Sequence, residues 1–184
     1  MARVPYVDPP PPGSADPNGL RPLYVETAAV RGSVLDLYRA LGNAPAALRA
    51  YLGLSRHVRD GSSLDPRLRE LAILATAFAL DVEYERFHHV PAAREAGVTE
   101  AQLEALPTWQ SAPAGLFDAR ELAVLAYADE VARGRHVTDA TFEAVRRHLP
   151  AAQLVDLALT VAFYHLCAAL ILPLEIETEA HSAG

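Results

Sequence analysis

The chain has 184 residues, of which 51% are hydrophobic and 21% charged, and its net charge at pH 7 is −7. This length and composition are typical of one soluble globular domain and exclude a wholly disordered chain. The single cysteine, Cys167, cannot form an internal disulfide, which excludes a disulfide-stabilised scaffold and a Cys-x-x-Cys redox centre. An acidic chain without a basic run argues against nucleic acid and anionic membranes as partners.

The N-terminal segment, residues 1–22, is rich in proline. It contains seven of the 14 prolines, including the run Pro9–Pro12, and lacks the basic and apolar regions of a signal peptide. We expect extended, polyproline-like chain, either as a disordered tail or as an arm on a neighbour. We therefore predict a folded domain over residues 23–174, an acidic tail over 175–184, and a cytoplasmic location.

From residue 23 onward the pattern is helical nearly throughout, because alanine is abundant and strand-like alternation is absent. Asp65 precedes a proline at the first helical position, and Thr99 with Gln102 and Asp118 with Glu121 have the spacing of capping boxes. These signals predict an all-α, multi-helix bundle. The expected helices span 26–41, 44–58, 66–81, 83–96, 99–106, 118–133, 138–148 and 151–172.

Two of these helices are apolar almost all round. The segment from Leu71 to Leu80 has no charge, so we expect it at the centre of the bundle. The segment from Leu154 to Leu174 is long enough to span a bilayer, but Asp156 and three closely following glutamates argue against a membrane. We predict a buried helix, or one packed against another subunit.

Glu70 begins the charge-free segment, and its helical neighbours include Ile73 and Leu74. A carboxylate in that position must be paired, or protonated with a raised pKa. Alternatively, its negative charge interacts favourably with the helix dipole near the N-terminus, or it binds Arg67 or Arg69. The spacing leaves these interpretations open.

The next helix carries two pairs of titratable residues. Glu85 and His89 are four residues apart and share one face, while Tyr84 and His88 form a second pair offset by about 100°. A carboxylate beside an imidazole is typical of a general acid–base pair. The alternative is a solvated helix turn with ion pairs, which composition alone favours.

Metal binding is the other chemistry that these residue types allow. Glu85 and His89, with Glu70 or His165, include carboxylate and imidazole ligands. Helix-bundle di-metal sites use two Glu-x-x-His elements, however, and this stretch contains one, ending at His88. We therefore expect no metal.

Two segments carry a family resemblance. They are Gly61-Ser-Ser-Leu-Asp-Pro-Arg-Leu-Arg-Glu-Leu-Ala-Ile-Leu and Glu83-Tyr-Glu-Arg-Phe-His-His-Val-Pro-Ala-Ala-Arg-Glu-Ala-Gly-Val-Thr. The chain resembles the carboxymuconolactone decarboxylase family, whose superfamily includes the alkylhydroperoxidase D proteins, over roughly residues 23–174. The resemblance implies an all-α fold, helices packed across the interface of a homotrimer or hexamer, and an active-site cavity beside the motif helix.

Cysteines separate the branches of that superfamily. In the alkylhydroperoxidase branch the motif reads Cys-x-x-Cys-x-x-x-His, with a glutamate one helix earlier. Matching its histidine to His89 places that glutamate on Glu70 and the two cysteines on Val82 and Glu85, so both thiols are missing. The resemblance therefore implies a retained proton relay without dithiol peroxidase chemistry.

The lactone decarboxylase branch is also matched incompletely. Its members carry a Tyr-x-Gly-x-Pro element, where this chain reads Tyr164-His-Leu-Cys-Ala-Ala-Leu. The resemblance therefore does not extend to carboxymuconolactone itself as the substrate.

Together, residues and resemblance predict a cofactor-independent acid–base lyase, decarboxylase-like, acting on a small carboxylated or carbonyl-bearing compound. His89 is expected to shuttle a proton, Glu85 to orient it, and Glu70 to act as the buried relay partner. The side chains expected to bind substrate are Tyr84, Arg86, His88 and Tyr164. The alternatives are an alkylhydroperoxidase-type antioxidant activity and a non-catalytic, oligomeric binding protein.

Overall fold

The structure is a computed structural model that describes residues 2–134 and 136–179. Within these residues the chain forms nine α-helices and no β-strand, which confirms the predicted all-α class. The predicted acidic tail continues past residue 179 and so lies partly outside the described residues.

The helices follow the chain as α1 (Leu20–Arg31), α2 (Asp36–Leu41), α3 (Pro45–Arg56), α4 (Pro66–Ala79), α5 (Glu83–Glu95), α6 (Glu100–Ala105), α7 (Ala119–Gly134), α8 (Asp139–His148) and α9 (Ala151–Leu174). A π-helical turn, His57–Gly61, follows α3, and a 3-10 turn, Leu106–Ser111, follows α6.

The chain divides into two compact units. The first contains the chain up to His57 together with the segment from Leu170 onward, and the second is Val58–Ala169. All of the predicted site residues lie in the second unit.

In the first unit, the proline-rich segment runs along the helices as an arm. The Val7 backbone N–H donates to the Arg39 carbonyl at 3.0 Å, and the Tyr24 hydroxyl donates to the Val7 carbonyl at 2.9 Å. Arg39 also binds the carboxylates of Asp8 and Asp36. The segment is therefore held by specific contacts within its own chain.

The predicted single helix over 26–41 is wrong, because the structure has two helices there. Gly32 adopts the left-handed conformation, with φ 77°, and its N–H donates to the Ala28 carbonyl, which ends α1. α2 then begins at Asp36. α1 itself begins at Leu20, where the Asp16 carboxylate accepts from the first free backbone N–H groups.

In the second unit, α4 occupies the position predicted for it. It packs against α5 and α7, and Leu68, Leu71, Ile73 and Leu74 are completely buried. The side chain of Asp65 accepts from the first backbone N–H groups of the helix, as its N-cap role predicted.

The two predicted capping boxes are confirmed, and they meet in one network. Thr99 and Gln102 cap α6 reciprocally, and the N–H groups and carboxylates of Asp118 and Glu121 do the same at the start of α7. The Arg67 guanidinium of α4 donates to Glu121 and to Gln102, at 2.6 Å in each case. One arginine therefore joins α4, α6 and α7.

A tight turn connects α4 to α5. Asp81 has a positive φ of 55°, and the Val82 N–H donates to the Ala77 carbonyl at 2.9 Å. This turn reverses the chain so that α5 packs against α4, which brings Glu70 and His89 together.

α9 is long and apolar enough to cross a membrane by length and composition, and 44% of its most apolar stretch is buried. The core helix of a soluble protein meets the same criterion, so this property by itself is weak support for a membrane. Val155 and Leu166 remain 65% and 42% exposed.

Candidate active site

The predicted site is centred on His89, whose two ring nitrogens have different partners. Nδ1 lies 2.7 Å from Oε2 of Glu70, and Nε2 lies 2.9 Å from the hydroxyl of Tyr164. Glu70, His89 and Tyr164 are each no more than 4% exposed. Helices α4, α5 and α9 thus contribute one residue each to a buried chain of hydrogen bonds.

Glu85 lies on the same side of the imidazole as Tyr164. Its Oε2 is 3.5 Å from Nε2 of His89, and the residue is 5% exposed. The i,i+4 spacing therefore produces the pairing that the sequence predicted. As a result, Nε2 faces both a phenol and a carboxylate, the groups between which a mobile proton can be shared.

Glu70 is ionised despite its burial. Burial alone would raise its pKa, but the hydrogen bond and charge of His89, reinforced by Arg69, outweigh burial and hold the pKa below its ordinary value. An ionised Glu70 can only accept, so Nδ1 of His89 donates to it. In the neutral imidazole, Nε2 is then the acceptor for the Tyr164 hydroxyl.

Arg69 is the arginine that binds Glu70. Its Nε lies 3.4 Å from Oε1 of Glu70, and its Nη1 donates to the Arg59 carbonyl at 2.7 Å. Arg67 instead faces Glu121. Of the alternatives that the sequence left open for Glu70, the structure therefore shows pairing with His89 and Arg69.

The predicted substrate-binding residues on α5 point in two different directions. The rings of Tyr84 and His88 are in contact, with centroids 4.6 Å apart, and Tyr84 is buried. Arg86 points elsewhere: its Nη1 binds Asp81 at 3.0 Å, and its guanidinium lies over the ring of Phe78. Tyr164 is thus the predicted substrate-binding residue that contacts His89 directly, while Arg86 binds at the α4–α5 turn.

Two polar contacts between α9 and the segment before α4 were not predicted. Oδ2 of Asp156, on α9, accepts from the backbone N–H of Ser63 at 2.6 Å and from its hydroxyl at 2.7 Å. Gln153 donates to the Ser63 carbonyl. The aspartate interrupting an apolar helix was the only sequence signal for this link.

The arrangement of the donors suits proton transfer. Among the residues that the structure describes, no group of three or more His, Cys, Asp and Glu side chains is arranged to hold a metal ion. The Glu70 carboxylate instead hydrogen-bonds Nδ1 of the imidazole, and the Glu85 carboxylate lies 3.5 Å from Nε2. A buried imidazole between an ionised carboxylate and a phenol is a group that can accept and return a proton in a site sheltered from water.

Comparisons with known proteins agree with this description. Residues 45–130 match the sequence profile of the carboxymuconolactone decarboxylase family. No curated protein matches the chain in sequence.

Solved structures match over nearly the whole chain. A peroxidase-related protein with an alkylhydroperoxidase AhpD core, from Ralstonia eutropha JMP134, is 22% identical with a TM-score of 0.79, covering 97% of this chain and 92% of its own. A peroxidase-related protein from Silicibacter sp. TM1040 is 20% identical with a TM-score of 0.77, covering 97% of both chains.

A third similar structure is a cysteine-to-alanine variant of the debrominase Bmp8 in complex with 2,3,4-tribromopyrrole. It is 19% identical with a TM-score of 0.79, and the match covers 98% of this chain and 95% of that one. At these identities the structures establish the shared fold.

Fold and site together define an all-α protein with a buried carboxylate–imidazole–phenol cluster at the meeting point of three helices. The profile match and the shared fold identify its relatives. Residues 45–130 match the carboxymuconolactone decarboxylase family, as the resemblance implied, and the chain shares its fold with proteins of the alkylhydroperoxidase D-like type.

Proposed function

We propose that the protein is a cofactor-independent acid–base lyase, of the decarboxylase type, acting on a small carboxylated or carbonyl-bearing compound. The observation that supports this proposal is the buried chain from Glu70 through His89 to Tyr164, with Glu85 beside Nε2. Membership of the superfamily alone does not determine the reaction.

In this mechanism Nε2 of His89 is the atom that exchanges the proton. Loss of carbon dioxide beta to a carbonyl leaves the electron pair of the broken C–C bond in an enolate. The imidazolium donates its Nε2 proton to the enolate carbon, and the ionised Glu70 at Nδ1 stabilises the imidazolium before that transfer. The hydroxyl of Tyr84 or Tyr164 donates to the developing enolate oxygen. His89 then regains its proton from water.

Thiol chemistry receives less support as the activity. The positions that the resemblance assigns to the two family cysteines are Val82 and Glu85, and Cys167 is buried on another helix. A dithiol peroxidase needs a nucleophilic thiolate and a resolving thiol, and the chain has one cysteine in total.

Self-association is part of the proposal. We infer a soluble homo-oligomer, a trimer or hexamer, located in the cytoplasm and acting on a small molecule, with no nucleic acid or membrane partner. The support comes from the apolar side chains that α9 leaves exposed, since large exposed apolar patches mark interaction sites.

The test is a search for turnover in a panel of 2-oxo acids, 3-oxo acids and carboxylated lactones, dissolved in D₂O. We expect carbon dioxide release from one class, with deuterium at the carbon that lost it, both followed by NMR. His89→Ala and Glu85→Gln should each lower kcat/KM by about 10²–10⁴-fold. His148→Ala, an exposed histidine at the end of α8, is the matched control and should be unaffected.

Two results would contradict the proposal. One is full activity in the folded His89→Ala variant on a compound that the wild type turns over. The other is an absence of both turnover and deuterium exchange across the panel. Tight binding of a panel member without any reaction would favour the non-catalytic binding protein instead.

A further inference from the structure

Arg69 connects the π-helical turn at His57–Gly61 to the Glu70 carboxylate. Its Nε approaches Oε1 of Glu70 at 3.4 Å, while its Nη1 donates to the Arg59 carbonyl at 2.7 Å. The side chain is 15% exposed, so this bridge lies largely out of solvent. Arg59 belongs to the π-helical turn, where the widened helix frees backbone carbonyls for other donors.

The bridge matters because the two oxygens of Glu70 have separate partners. Oε2 takes the Nδ1 proton of His89, and Oε1 faces Arg69. Two other titratable groups contact the pair, Glu85 on α5 and Tyr164 on α9, and both face Nε2 of the imidazole. Arg69 is thus the positive group on the Glu70 side of the relay.

The protonation state of Glu70 determines which ring nitrogen of His89 carries the proton. An ionised Glu70 accepts from Nδ1–H and leaves Nε2 as the acceptor for the Tyr164 hydroxyl. A protonated Glu70 would instead donate to Nδ1, which moves the imidazole proton to Nε2. The hydrogen-bond distances would be the same for both tautomers, but in the second one Nε2 already carries a proton and cannot accept another.

We propose that Arg69 is a positioning residue that fixes the ionised Glu70 carboxylate and thereby sets which nitrogen of His89 carries the proton. It acts through Glu70 without touching the reacting atoms. This inference extends the proposed function by naming what orients its relay, but the ionisation of Glu70 and the tautomer of His89 can be measured without any substrate.

The experiment compares Arg69→Met, which removes the charge, with Arg69→Lys, which keeps a charge but cannot bridge both acceptors. Arg94→Met is the matched control, since it removes an arginine from an exposed ion pair with Glu100. Carbon-13 NMR gives the pKa of the Glu70 carboxyl, assigned with Glu70→Gln, and nitrogen-15 NMR gives the tautomer of His89. Circular dichroism checks folding.

We expect Arg69→Met to raise the pKa of Glu70 by about one pH unit or more, because an opposite charge this close typically shifts a carboxyl by that amount. At neutral pH the Nδ1–H tautomer of His89 should be less populated in Arg69→Met than in the wild type, because the carboxylate that accepts this proton is no longer held in place. Arg69→Lys should give a smaller change in the same direction, and Arg94→Met none.

An unchanged Glu70 titration and His89 tautomer in folded Arg69→Met would overturn the inference. If that variant does not fold, the same two unchanged signals in Arg69→Lys would overturn it. A shifted titration in a protein that turns over none of the test compounds would support the role of Arg69 while contradicting the lyase.

Discussion

Glu70 shows how one buried side chain can belong to the proposed proton relay and also contribute to stability. Burial disfavours its charge, yet His89 and Arg69 supply enough hydrogen bonding and positive charge to lower its pKa. A carboxyl whose pKa is lower in the folded than in the unfolded protein stabilises the fold at any pH above its ordinary value. This contribution is lost as the pH falls through the lowered pKa.

The direction of this pH dependence of stability can be tested without a substrate. Glu70→Gln should lower the free energy of unfolding by about 1–3 kcal/mol at pH 7, since it removes a charged hydrogen bond in a buried site. The difference from the wild type should stay constant down to the ordinary carboxyl pKa near 4.5 and shrink below it. Urea titrations from pH 7 to pH 3.5 measure this difference.

Glu104→Gln, an exposed carboxylate on α6, serves as the control and should show no such pH dependence. If the difference in stability between the wild type and the Glu70→Gln variant grew as the pH fell, Glu70 would be protonated in the fold, contrary to our assignment.

The residues that sequence spacing could identify are those that lie close together along one helix. Glu85 and His89 share a face by periodicity alone. The contact of Tyr164 with His89 joins residues 75 positions apart, so only the packing of α9 reveals it. The sequence also could not show which arginine contacts Glu70. Arg67 and Arg69 lie about 200° apart around an ideal helix, and the packing of the surrounding helices determines which of them faces Glu70.

At the scale of elements, the hydrogen-bond network around Arg67 joins the three helices α4, α6 and α7. Glu121 is 4% exposed, and its carboxylate binds Arg67, Gln102 and the backbone N–H of Asp118. Removing the guanidinium would leave a buried carboxylate without its cation, which is costlier than losing the pair as a whole.

We therefore expect Arg67→Met to lower the free energy of unfolding by about 2–3 kcal/mol, measured by urea denaturation at pH 7. Arg94→Met removes an arginine from a solvent-exposed pair, and such pairs contribute little, so it should leave the denaturation midpoint unchanged. Equal effects of the two substitutions would show that the buried network carries no special stability.

Helix ends were predictable where a side chain marks them. The Asp65 N-cap and the two capping boxes are local signals, and each forms as its spacing predicts. The break at Gly32 was missed because a glycine within a periodic pattern is compatible with a continuous helix. The π-helical turn at His57–Gly61 has no comparable capping signal in the sequence.

At the scale of the whole molecule, α9 presents an outward stripe without charge. Val155, Leu159, Ala162, Leu166 and Ala169 follow one another at alternating steps of four and three residues. That spacing is typical of helices that pack against a further helix. In the single chain Val155 is largely exposed to solvent and Leu166 is partly exposed.

We expect Leu166→Glu to convert the proposed oligomer to the monomer of 19.8 kDa, because a carboxylate in an apolar interface would have to be buried unpaired. Light scattering coupled to size exclusion measures the mass. Phe142→Glu is the matched control, since Phe142 on α8 is 41% exposed against 42% for Leu166, and it should leave the mass unchanged. A wild-type mass equal to that of one chain would contradict the proposed self-association.

The two polar anchors of α9 have a consequence for how the relay opens. Asp156 holds the loop at Ser63, and Tyr164, about 12 Å further along the same helix, holds His89. Since a helix moves as a rigid rod over such a distance, lifting α9 would break both anchors together. Slow hydrogen exchange should therefore release the amides of Ser63 and of the middle of α9 in a single cooperative event. The hydrogen bonds of Asp156 and of Tyr164 would then be present or absent together.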